Sequence, residues 1–148
     1  MTNRWTLTVT SDVHQLAHIG DFVIQAGRAA GLDERALFAV ELACDEACSN
    51  IIRHGYAGRP GEIHVTCLVS HSDFVVEVAD HGPPFNPLTV KPVPTTRAVN
   101  DMSTGGRGVY LIRRLMDTVI YQHDLHGGNR LTMIKHGVVP ESTTPGQA

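Results

Sequence analysis

Between Arg4 and Thr10 the chain alternates strictly: Trp5, Leu7 and Val9 fall on one side, and Thr6, Thr8 and Thr10 on the other. That two-residue period predicts a half-buried strand. Ser11-Asp12 ends it. Asp12 with Gln15 three residues on has the form of a capping box, which predicts a helix from Val13 to about Ala30, closed by Gly31. His14, His18 and Asp21 fall on its wet side and read as surface. A second helix is predicted over Asp33 to His54. Asp33 is its N-cap, and Leu37, Val40, Cys44, Ala47, Cys48 and Ile51 form an apolar stripe suited to packing on a flat surface.

That stripe leaves Glu46, Asn50 and His54 at i, i+4 and i+8, on one helical face to the side of the core. Two uses are open. Glu46 can take a proton from a hydroxyl, and the Asn50 side-chain oxygen can ligate Mg²⁺ beside phosphates. A solvated face has the same pattern.

Tyr56 to Gly61 is turn chemistry. Ile63, Val65, Cys67 and Val69 then alternate with polar neighbours, a turn follows at Ser70 to Asp73, and Phe74 to Ala79 returns, which predicts a hairpin. The second strand ends in Asp80-His81-Gly82-Pro83-Pro84-Phe85, an acid followed by a glycine that lets backbone approach a ligand closely. Residues 86–104 have no periodicity and carry prolines at 87, 92 and 94, which fits a functional lid or a plain insertion. Gly105-Gly106-Arg107-Gly108 opens into the apolar-periodic Val109 to Met116, so bare N–H groups and a positive dipole end face outward there, an anion site suited to phosphate. A last hairpin is predicted over Val119–His123 and Arg130–His136 across His126-Gly127-Gly128-Asn129, and residues 140–148 read as a frayed tail. The element order predicts one domain over 1–148 of class α+β: a two-layer sandwich, its sheet mixed but mostly antiparallel, with helices on one face.

Composition narrows the function. Apolar content of 42% with 18% charged residues fits a soluble globular protein, and no run is apolar enough to span a bilayer. The start lacks an apolar signal region, so a cytoplasmic, membrane-free protein is expected. A net charge of -3 argues against a nucleic-acid partner. Cys44 and Cys48 could join His54 at a metal, but no second ligand pair follows at zinc spacing, and small buried thiols account for both.

Three blocks stand in order: Asp45-Glu46-Ala47-Cys48-Ser49-Asn50 running on to Arg53-His54-Gly55-Tyr56; Ala79-Asp80-His81-Gly82-Pro83-Pro84-Phe85; and Gly105-Gly106-Arg107-Gly108-Val109-Tyr110-Leu111-Ile112-Arg113-Arg114-Leu115-Met116-Asp117. They resemble the N box and the two glycine boxes of the Bergerat-type ATP-binding fold of histidine kinases, gyrase and MutL. Their wording is similar to the small anti-sigma serine kinases of the RsbW and SpoIIAB type, over roughly residues 5 to 136.

The resemblance implies ATP and Mg²⁺ as cofactors, with Asn50 on the metal and Glu46 as general base toward a protein serine. It also implies that Asp80 accepts from the adenine amine, that Gly82 permits close approach, and that Thr132 sits near the base. Gly105, Gly106, Gly108 and Val109 would line the phosphates, with Arg53, His54 and Arg107 as further phosphate contacts, and residues 86–104 would be the ATP lid. The implied partners are a STAS-type anti-anti-sigma factor, a sigma factor or equivalent client, and a second copy, docked through the N-terminal strand and helix where Trp5 and Phe22 would otherwise be exposed. Two other readings fit the same boxes: a nucleotide-dependent switch module with weak or no kinase activity, and the catalytic fragment of a sensor histidine kinase. The second is disfavoured, since 148 residues leave no room for a dimerising phosphoacceptor helix pair. One departure from the family wording is the missing second glycine of the first glycine box, where Pro83 and Pro84 stand; another is Val109 in place of the commoner leucine.

Overall fold

The computed structural model describes residues 3–84, 86–89, 105–124 and 126–141. Five strands form one sheet: β1 (Arg4–Thr10), β2 (Glu62–Ser70), β3 (Asp73–Asp80), β4 (Thr118–Asp124) and β5 (Gly128–Lys135). Their spatial order is β1-β2-β3-β5-β4, and every neighbouring pair is antiparallel, so where the sequence predicts a mixed, mostly antiparallel sheet, the described residues pair in the antiparallel sense alone. Helices α1 (Leu16–Ala30), α2 (Glu34–Asn50) and α3 (Gly105–Leu115) supply the core residues of the second layer.

The register explains the layering. Trp5, Cys67, Val76, Met133 and Val119 oppose one another across the five strands, and the next inward row is Leu7, Val65, Val78, Leu131 and Tyr121. Against these rows pack Ile19 and Val23 of α1, Val40 and Cys44 of α2, and Ile112 of α3, each at most 1% exposed. Burying each such branched side chain contributes roughly 1.5–3 kcal/mol. The outward row at mid-sheet is Thr6, Thr66, Glu77, Thr132 and Ile120. Thr132 is therefore on the face away from the helices, contrary to the expectation that it lies beside the base. The strand was anticipated, but which of its two alternating sets turns inward is fixed by pairing with β3.

The helix ends follow local chemistry. Asp33 Oδ1 accepts from Ala36 N at 2.8 Å, and Gly31 closes α1 at φ 91°. Before α1 the chain makes a 3₁₀ turn over Val13–Gln15, with Asp12 Oδ1 accepting from His14 N at 2.9 Å. The predicted second helix is not uniform to His54. It is α-helical through Asn50 and then widens into a π turn over Ile51–Gly55. With more residues per turn, His54 no longer follows Glu46 and Asn50 at α spacing, so the predicted three-residue face keeps only its first two members.

Cys44, Cys48 and Cys67 are free and buried, with Cys44 Sγ and Cys48 Sγ 4.0 Å apart. Burial pushes the Cys67 thiol up, with Cys44 adding to the effect, as expected of inert core thiols. Trp5 and Phe22 are half-buried and packed against the core, so neither stands out as the exposed contact expected of them. Pro140 and Glu141 begin the expected tail; Pro140 lies against Gly31, and residues 142–148 fall outside the described residues. No helix among the described residues is long and apolar enough to cross a membrane.

Asp73, at the start of β3, accepts from Gly137 N at 3.0 Å and faces His136 Nδ1 at 3.1 Å. The Gly137 bond, then His136, hold its carboxyl below the ordinary aspartate range. The folded chain thus binds fewer protons at Asp73 than the unfolded one, and its contribution is complete above about pH 4 and is lost as pH falls through the folded value. In chemical denaturation, Asp73→Asn should be less stable than the parent at neutral pH. The gap should narrow below about pH 4; a gap constant with pH would remove Asp73 as its source.

Candidate nucleotide site

The third inward row of the sheet is Val9, Ile63, Asp80, Asn129 and His123. Where the two rows before it are almost wholly apolar, this one turns polar on β3 and β5, and both groups are buried, Asp80 at 4% and Asn129 at 5% exposure. Buried polar groups require partners, and here they are each other's. Asn129 Nδ2 donates to Asp80 Oδ1 at 3.0 Å, to Gly82 O at 3.1 Å and to Pro83 O at 3.2 Å. Its Oδ1 takes the Tyr121 hydroxyl and lies 3.1 Å from His123 Nδ1. Gly82 N adds a donor to Asp80 Oδ1 at 2.8 Å. Among the described residues these two donors are the hydrogen-bond partners of the Asp80 carboxylate, and both meet the same oxygen.

Tyr56 fixes the loop after Asp80 from the other side. Its hydroxyl donates to Glu62 O at 2.8 Å and accepts from His81 N at 2.9 Å. The ring fills the space beside two glycines: a Cβ on Gly61 would fall 2.1 Å from it and clash, and one on Gly82 would fall 3.3 Å away in a tight contact. By composition alone Tyr56 belongs to a turn. Its signal was the pair of glycines flanking a large buried ring, which becomes visible only once the segments are brought together.

Across from Asp80, α2 presents Asn50 and α3 its first turn. Gly105, Gly106, Arg107 and Gly108 are the first four residues of α3, so the helix begins at the glycines rather than after them, and the four N–H groups without helical acceptors are theirs. A Cβ on Gly108 would lie 2.8 Å from Glu46 Oε2, 3.4 Å from Asn50 Nδ2 and 3.5 Å from Asn50 Oδ1. A carboxylate, a carboxamide and a helix N-terminus thus meet at one spot because residue 108 has no side chain. Asn50 is 8% exposed, and its Nδ2 has no hydrogen-bond partner among the described residues, a costly state that a polar ligand would relieve. Glu46 is half-buried and engaged.

Between these walls runs a cavity of about 20 Å³ lined by Asn50, Asp80, Pro87, Tyr121, Asn129 and Leu131, among others. It holds roughly one water as it stands, so a purine requires its walls to part. Pro87 belongs to a 3₁₀ turn over Pro87–Thr89, held by Arg113 Nη2 donating to Leu88 O at 2.8 Å. The rest of the expected lid, residues 90–104, lies outside the described residues.

The other expected contacts are distributed unevenly. Val109 is 1% exposed, so its side chain belongs to the core and only its backbone can face a ligand. Arg53 and His54 occupy exposed positions on the π turn, and Arg53 is near enough to Asp45 for its charge to oppose the upward push of burial on that carboxyl. The Arg107 side chain lies outside the description. In place of Thr132, β5 contributes Asn129 and Leu131.

The model of the histidine kinase-like ATPase domain family matches residues 9–135. The chain belongs to that family. Among its relatives, this ATPase domain is 34% identical over 109 residues to the serine/threonine-protein kinase BtrW of Bordetella bronchiseptica, covering 73% of this chain and 75% of that protein. It is 34% identical over 105 residues to the serine-protein kinase RsbW of Bacillus mycoides, covering 64% of this chain and 66% of that one. RsbW of Bacillus thuringiensis matches at 32% over the same length and coverage. The resemblance to RsbW-type kinases and the α+β class expected from the sequence are both borne out.

Proposed function

We propose that this ATPase domain is a protein serine/threonine kinase of a partner-switching pair: it transfers the γ-phosphoryl group of ATP to a serine of a STAS-type anti-anti-sigma protein and, in the alternate state, holds a sigma factor or equivalent client. The observation that carries the reading is the convergence of Glu46 and Asn50 on Gly108. In the transfer, the serine oxygen bonds to the γ-phosphorus, the bond from that phosphorus to the β–γ bridging oxygen breaks, ADP leaves, and the hydroxyl proton passes to Glu46. The N–H groups of Gly105, Gly106 and Gly108 offset phosphate charge, and Asp80 accepts from the adenine amine while Asn129 keeps its carboxylate aimed.

Asn50 fits Mg²⁺, a cation that takes one or two protein oxygens and the remainder from phosphates and water, and that would neutralise charge on the phosphates. The unpartnered carboxamide end is consistent with this, since its oxygen and nitrogen exchange places by a flip. A base beside the phosphates has little use in a module that only binds, and this favours the kinase over a switch without chemistry. A homodimer through β1 and α1 belongs to the same reading. It would give twice the chain mass in light scattering, and only monomer at micromolar concentration would count against it.

Incubation with radiolabelled ATP, Mg²⁺ and STAS-domain proteins of the same organism should yield phosphoserine on one of them. Tight ATP binding with no phosphoserine formed would replace the kinase with the binding module.

A further inference from the structure

At the end of the helical layer opposite the nucleotide site lies a groove of about 420 Å³ between the start of α2, the end of α3 and the end of β5. Phe38 and Asn50 are twelve residues apart on α2, about 18 Å along its axis, so the groove and the proposed phosphate site do not overlap. Phe38 is 65% exposed, the most exposed of the large apolar side chains described, and Ala36, Ala39, Leu115 and Val138 extend the apolar floor beside it. Scattered exposed leucines or valines are ordinary on a surface; a phenylalanine over an apolar floor in a concave site is not.

The charges on the rim are one-sided. Arg35, Arg114 and Lys135 line the groove against a single acid, Asp33, whose carboxylate is committed to capping Ala36 N. Lys135 is also committed, with Nζ donating to Leu115 O at 2.7 Å and lying 3.8 Å from Asp117. Arg35 and Arg114 are exposed and have no ion pair or hydrogen bond among the described residues. On a chain of net charge -3, two uncommitted guanidinium groups flank the most exposed phenylalanine among the described residues.

We propose that this groove docks an acidic segment of a partner protein, an apolar anchor of that segment packing on Phe38 and its carboxylates pairing with Arg35 and Arg114. Arginine and aromatic side chains are the types that dominate binding energy at protein interfaces, and planar guanidinium groups pair bidentately with carboxylates. Such a site holds its partner without covering the nucleotide, so it acts as a tether whether or not phosphoryl transfer takes place.

The test uses the full chain and fluorescein-labelled helical peptides of roughly a dozen residues, with Leu at i, i+3, i+4 and i+7 and Glu elsewhere. Fluorescence anisotropy should show binding that weakens as salt rises. It should fall by at least roughly tenfold in Phe38→Ser, and likewise in Arg35→Glu combined with Arg114→Glu, while Arg4→Glu on β1 leaves it unchanged. Amide chemical-shift changes should centre on the start of α2 and the end of α3. Equal binding of a peptide with Gln in place of Glu, or of one with Ser in place of Leu, would overturn the proposal. So would perturbations elsewhere on the surface. Self-association abolished by Phe38→Ser would overturn it too, by assigning the groove to a second copy of this chain.

Discussion

Glu46→Gln should slow phosphoryl transfer to protein serine by roughly 10²–10⁴-fold while changing ADP affinity by no more than about threefold. Glutamine keeps the shape and the hydrogen-bonding reach of glutamate but cannot take the serine proton, so the loss belongs to the chemical step. Glu46 Oε2 lies 2.8 Å from the place where a Cβ of Gly108 would stand, at the first turn of α3, whose N–H groups have no helical acceptors. Single-turnover kinetics with saturating ATP separates the possibilities. An unchanged rate would move the base elsewhere. A collapse of ADP affinity along with the rate would make Glu46 a support for the α2–α3 contact rather than the proton acceptor.

Asn129→Ala should weaken ADP binding by roughly 10–100-fold, since removing one partner from a buried network costs about 1–3 kcal/mol for each group left unsatisfied. The substitution takes a donor from Asp80 Oδ1, frees Gly82 O and Pro83 O, and deprives the Tyr121 hydroxyl of its acceptor. Loss of fold stability alone could weaken binding, so the informative quantity is the coupling to Asp80. If Asn129 acts by aiming that carboxylate, Asn129→Ala should cost little further affinity in an Asp80→Ala background. Fully additive losses by calorimetry would show that Asn129 contributes independently.

The ordered boxes made much of this site readable in advance. Glu46 and Asn50 share an α-helical face, Asp80 ends a strand and Gly108 opens a helix, and each depends on local periodicity that one chain displays. The residues misread are those whose placement depends on pairing between distant segments. Thr132 and Leu131 are both plausible inward residues on a strand rich in β-formers; the opposition of Leu131 to Val78 makes the choice. Asn129 looked like part of a turn because His126-Gly127-Gly128-Asn129 has turn composition, yet Asn129 is already within β5, opposite Asp80. His54 was misplaced for another reason. A constant 3.6-residue period does not hold past Asn50, where the hydrogen bonding widens. Trp5 and Phe22, expected to be exposed unless a second copy covers them, are half-buried against the core of the chain itself.

The wide turn at Ile51–Gly55 leads directly into Tyr56, so the extra residue it takes up is part of how that ring reaches its place. A π turn closes its hydrogen bond one residue later than an α turn, so a chain one residue shorter there would have to fill the slot between Gly61 and Gly82 from an ordinary α-helical end, with Glu46, Asn50 and Asp80 all still in the sequence. A relative one residue shorter at this point would have to bring its counterpart of Tyr56 to the loop after the β3 aspartate by a different path.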